Sequence, residues 1–157
     1  MPQLISYIFQ TIASFVVLMV VYMLLALTDY QGGIGGLIGL TFFQPIMGAI
    51  FSVLTILACT ILGLPIRLSK SIRHWWVRRP FIPILLFVTA VVFIIIAFLP
   101  DQMQWGSYWE GDSEIPIRIP NLYFIATGWF TLAFALLHFY PLGAILAKGE
   151  QHKNSRR

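Results

Sequence analysis

The chain of 157 residues is 59% hydrophobic and only 10% charged, against about a quarter charged in an ordinary soluble domain, so its apolar surplus has to face lipid. The net charge of +4 does not indicate nucleic acid, because the basic residues stand in short clusters beside apolar blocks, where they report topology and anionic lipid. A single cysteine, Cys59, excludes a disulfide framework or a cysteine metal site within one chain.

Four apolar blocks run over about 4–28, 37–64, 81–99 and 122–147, each near or above the ~20 residues that span hydrocarbon. The expected fold is all-α: a polytopic integral membrane protein, one transmembrane domain built as a four-helix bundle. The start Met1-Pro2-Gln3 has no basic n-region and no small-residue cleavage site follows a short apolar core, so the first block reads as a retained anchor. On it Gln10 and Ser14 are four residues apart and share a face. Asp29, Tyr30 and the glycine run Gly32, Gly33, Gly35, Gly36 and Gly39 punctuate its end. The run has neither the lysine nor the preceding strand of a phosphate loop, and a flexible turn leading into a close helix contact is expected.

On the second block Thr41, Gln44, Gly48, Ser52, Thr55, Cys59 and Gly63 recur at spacings of three and four. Small, weakly polar residues on one face let helices approach closely, which predicts a packing seam. The sharper reading of the same face is the wall of a polar pathway. Gln44-Pro45 interrupts the block and frees the carbonyl of Thr41, so a kink is expected there.

The connection 66–80 holds Arg67, Lys70, Arg73, Arg78 and Arg79, with Leu68, Ile72, Trp75 and Trp76 on one helical face. That pattern predicts a short interfacial helix on anionic headgroups, with Arg67, Lys70, Arg73, Trp75, Trp76, Arg78 and Arg79 in contact with lipid. Docking of an acidic cytoplasmic partner is the second reading. The third block is uniformly apolar. The loop 100–120 carries Trp105, Tyr108 and Trp109, then Glu110, Asp112 and Glu114, then an alternating Ile-Pro-Ile-Arg-Ile-Pro. It is too apolar for a solvated linker and is expected to fold back on the membrane surface or against a partner. Its three carboxylates lack the rest of a calcium loop.

On the fourth block Gly128, Thr131, Ala135 and His138 line one face, with Gly128 and Thr131 as seam partners. His138 is the only ionisable side chain well inside a span, which makes it the first site candidate. At 1.5 Å per residue, Gln10, Thr55, Cys59 and His138 lie roughly 8–15 Å from one boundary, and with Ser14 they make a candidate polar layer. The expected state of His138 is a neutral ring bonded to Gln10 or a threonine.

Nine of the ten basic residues lie in 66–80 or from Lys148 onward, and five of the six carboxylates lie on the other side. The positive-inside rule then puts both termini in the cytoplasm, in an inner or plasma cell membrane. Functionally the expectation is a non-enzymatic accessory, assembly or protective (immunity-like) subunit. It would pack against other membrane proteins or its own copies, with no cofactor, no metal and no nucleic acid. The alternative is an oligomeric channel or transporter for an uncharged or weakly polar solute. An enzyme is disfavoured because the acids and His138 fall at opposite ends of the spans.

Overall fold

A computed structural model describes residues 2–28, 33–110 and 113–139, and it is mostly helical. Helix α1 runs Pro2–Thr28. Helix α2, Gly33–Ile38, passes through a π-helical turn, Gly39–Phe43, into α3, Gln44–Leu62. Short helices α4, Leu64–Leu68, and α5, Lys70–Val77, precede α6, Phe81–Ala97. Strands β1, Gln104–Glu110, and β2, Ser113–Ile119, pair before α7, Leu122–Leu137.

Two helical stretches are long and apolar enough to cross a membrane, Tyr7–Thr28 and Gly33–Leu62. The second, with 30 residues, extends about 45 Å. Helices α5 and α6 reach that length and composition only when taken together, and they are bent by 73° across the break between them. Helix α7 is shorter, at 16 residues.

The π turn answers the chemistry of Pro45. Proline cannot return a hydrogen bond to the carbonyl four residues back, that of Thr41, and widening the turn lets the Gln44 N–H reach the Gly39 carbonyl instead. Gly33–Leu62 therefore stays helical through the proline by way of this irregular turn. The extra residue also breaks the three-and-four spacing upstream, and Thr41 faces outward, off the seam.

Helix α7 is the hub. It packs on α1, α3 and α6, and α1 also packs on α3. The contacts fix directions: Tyr22 meets Gln44 while Tyr7 meets Thr60, so α1 and α3 are antiparallel. Trp129 meets Thr55 and His138 meets Gly63, so α3 and α7 run parallel. The core between them holds Leu18, Ile56, Cys59, Trp129, Leu132, Ala133 and Leu137, with Ala90 of α6 behind.

Two expectations change. The loop 100–120 contains a β-hairpin, so the fold is not purely α. Its register runs from Gln104↔Ile119 to Glu110↔Ser113, and alternating Ile115, Ile117 and Ile119 hold one face. The fourth helix does not run on to 147 as one piece: α7 stops at Leu137 with His138 as its cap. Pro141, four residues on, has no N–H to offer the Leu137 carbonyl and disfavours helix before it. Residues 140–147 lie outside those described.

Candidate functional site

Three polar side chains from other helices converge on the end of α7. A helix leaves its last carbonyls without intrahelical donors, and inside lipid an unpaired carbonyl costs several kcal/mol, by order of magnitude. Three side chains from three other helices meet this need. Arg67 of α4 donates to the Leu137 carbonyl at 3.2 Å, Trp76 of α5 donates its indole N–H to that of His138 at 2.8 Å, and Gln10 of α1 donates to that of Phe139.

His138 itself is fully buried. Its ring stacks on Phe134 at 4.2 Å between centroids and meets Trp76 edge-on at 6.3 Å. Nδ1 lies 2.9 Å from the Phe134 carbonyl, which can only accept, so Nδ1 carries the proton. Nε2 is then the acceptor of the neutral ring, and it has no donor among the described residues. It points onto the backbone of Gly63, where an added Cβ would come within 1.8 Å of it. Glycine is thus required at 63 by close approach. A cleft beside the ring, lined by Trp76, Val77, Pro80, Pro83, His138 and Phe139, has room for about one water-sized molecule, about 10 Å³.

Arg67 is held on its other face by Tyr7, whose ring centre lies 4.1 Å from the guanidinium carbon, and the Tyr7 hydroxyl is 3.4 Å from Thr60 Oγ1. A guanidinium over an aromatic ring is stabilised by the ring quadrupole, more so when water is scarce.

The expected polar layer is buried throughout: Gln10, Ser14, Thr55, Cys59 and His138 are all at most 7% exposed. Its members do not bond to one another. Thr55 Oγ1 accepts from Trp129 Nε1 at 2.8 Å, Cys59 Sγ lies 3.7 Å from the Phe130 carbonyl, and Gln10 bonds to Phe139 and not to His138. The Ser14 and Ser52 hydroxyls have no partner among the described residues.

The seam divides between two neighbours. Gly48 lies against the Tyr22 ring, with Gln44 accepting from the Tyr22 hydroxyl at 2.8 Å. Gly128 lies against the Ala90 carbonyl and Ile94 of α6, and Thr131 turns back to the Thr127 carbonyl at 2.7 Å. Gly35 and Gly39 of the glycine run have open space beside them, and the close approaches between helices fall at Gly48, Gly63 and Gly128.

The residues assigned to headgroups also divide. Arg67 and Trp76 turn inward to α7, whereas Lys70, Trp75, Arg78 and Arg79 are exposed and Arg73 is half-buried. Arg79 lies over Trp75 at 4.5 Å. The sequence reading passed over Tyr7, Tyr22 and Trp129. Trp129 stands mid-block, away from either aromatic belt, and an indole N–H so placed needs an acceptor. Pro141 likewise signalled where α7 ends.

Among the described residues there is no group of three or more His, Cys, Asp or Glu placed to hold a metal. Comparison with protein-family models, with curated proteins and with solved structures gives no match for the chain.

Proposed function

We propose that the chain is a multi-pass cell-membrane protein, a four-helix transmembrane bundle with both termini cytoplasmic. In this reading it acts without catalysis, as an accessory, assembly or protective (immunity-like) subunit that packs against membrane partners. The observation that supports it most is the use made of the buried polar groups. Arg67, Trp76 and Gln10 all close the end of α7, and Thr55 anchors its indole. Such groups lock helices together, while the apolar flanks of α1, α3 and α6, including Phe9, Leu54 and Ile95, stay exposed for lipid or for helices of another subunit. Lys70, Arg78 and Arg79 are free to meet anionic headgroups on the same face.

The second reading, an oligomeric path for a weakly polar solute, draws on the buried Ser14 Oγ, Ser52 Oγ and His138 Nε2, which keep hydrogen-bonding capacity unused among the described residues. Reconstitution in liposomes separates the two. The packing subunit gives solute and ion leakage no greater than empty liposomes at any pH between about 5 and 8, the range in which an imidazole charges. Leakage above that level, dependent on pH and losing that dependence in His138→Gln, would establish the conducting reading instead.

A further inference from the structure

Strands β1 and β2 form a two-stranded sheet with no third strand among the described residues. Such a hairpin is marginal in water, and its outer edges present backbone groups in search of partners. The two edges are not equivalent. The register closes on Glu110↔Ser113, which in a hairpin with a two-residue connection is a hydrogen-bonded pair. Pairs then alternate, so positions 110, 108, 106 and 104 turn their N–H and C=O groups toward β2, and 109, 107 and 105 turn theirs away. Pro116 stands opposite Ser107 and so falls on the outer edge of β2. Its missing N–H costs the hairpin nothing there and interrupts that edge at its middle. The outer edge of β1 carries Trp105, Ser107 and Trp109, with neither proline nor lysine in the strand to block it.

We propose that β1 pairs antiparallel with β1 of a second copy, about a two-fold axis at Ser107, joining the hairpins into one four-stranded sheet. The strand is self-complementary about that point. Ser107 meets its own copy, Gly106 falls opposite Tyr108, Trp105 opposite Trp109, and Gln104 opposite Glu110. Outward-turned residues meet outward-turned residues, as the ladder requires. The strand's one glycine stands across from an aromatic residue, and its one carboxylate across from an amide instead of a second carboxylate. This axis pairs all seven residues of the strand. Moving it to Gly106 or Tyr108 pairs only five residues per strand, and moving it to Trp105 or Trp109 only three.

The two-fold axis of such a pairing is normal to the sheet. Two copies inserted the same way in one bilayer are related by an axis along the bilayer normal, so the sheet lies flat over the membrane. The faces suit this arrangement. Ile115, Ile117 and Ile119 are half-buried on one side, while Glu114 and Arg118 are exposed on the other, where Arg118 lies over Trp105 at 4.2 Å.

The full chain in lipid nanodiscs, with Cys59→Ala to remove its only thiol, tests the proposal by a cysteine pair. Ser107→Cys is expected to give mainly a covalent dimer with a short bismaleimide, which adds one thiol at each end. Ser113→Cys, at least three strand spacings or about 14 Å from its copy, is expected to stay monomeric. Ser107→Pro removes the outward N–H at the axis and leaves the backbone bonds to β2 intact, losing within the hairpin only the bond the Ser107 hydroxyl donates to Glu114; it should halve the native mass without loss of helical circular dichroism, whereas Ser107→Ala, which loses the same hydroxyl, should stay dimeric. A monomeric wild-type chain, equal cross-linking at 107 and 113, or a dimer that survives Ser107→Pro would overturn the inference.

Discussion

At the scale of residues, the stability of the bundle depends on contacts that admit no extra atom. The Cβ of Gly63→Ala would sit 1.8 Å from His138 Nε2, so the imidazole has to leave its place between Phe134 and Gly63. Overpacking of this kind is expected to cost about 1–3 kcal/mol in detergent unfolding. The same substitution combined with His138→Ala should cost less than the two single changes added, because the second removes the atoms that the first strikes. Additive costs would show that the ring does not rest on Gly63. Thr55→Val removes the acceptor of the buried Trp129 indole at nearly constant volume, with an expected cost of about 0.5–2 kcal/mol. Thr55→Ser keeps the oxygen and should recover most of that loss in the same unfolding measurement.

At the scale of elements, several helix ends and breaks trace to one residue and the hydrogen-bonding group it lacks or supplies. Pro45 lacks an N–H, and the π turn before it gives the Gln44 N–H the Gly39 carbonyl as acceptor. The Leu137 carbonyl faces Pro141 in sequence and takes its hydrogen bond from Arg67. Ser69, the cap of α5, accepts from the Ile72 N–H, and Asn121 caps α7 by accepting from Tyr123 and Phe124. The packing of α3 makes a further prediction. An ideal Cβ at Gly48 falls 2.6 Å from a Tyr22 ring carbon, so Gly48→Leu should force α1 and α3 apart and lower the melting temperature sharply. Val92 of α6 is 45% exposed, and Val92→Leu should be tolerated. Equal melting temperatures for the two variants would refute a close α1–α3 seam.

At the scale of the molecule, the expected topology has its own test. Reporters fused after Arg157 or within 67–79 should register as cytoplasmic, and those inserted near Asp112 as exterior. An exterior signal from the tail would sink the two-termini-in model. What the sequence determined alone was the length and apolarity of the helices and their periodicity. Apolar blocks without charge leave only helix as a way to satisfy every backbone group in lipid, and the three-and-four spacing of Gly48, Ser52, Thr55 and Cys59 marked the face that α3 buries. The alternation through Ile115, Ile117 and Ile119 already carries the strand period of the hairpin, and Pro141 marks the end of α7. Pairings between elements were a different matter. Arg67 and Trp76 look like headgroup contacts by composition, and only the packing of α4 and α5 beside the end of α7 brings their donors to its open carbonyls. The same holds for Gly63 under His138, 75 positions apart in the chain: periodicity assigns a residue to a face, but which atoms that face meets depends on how helices distant in sequence dock.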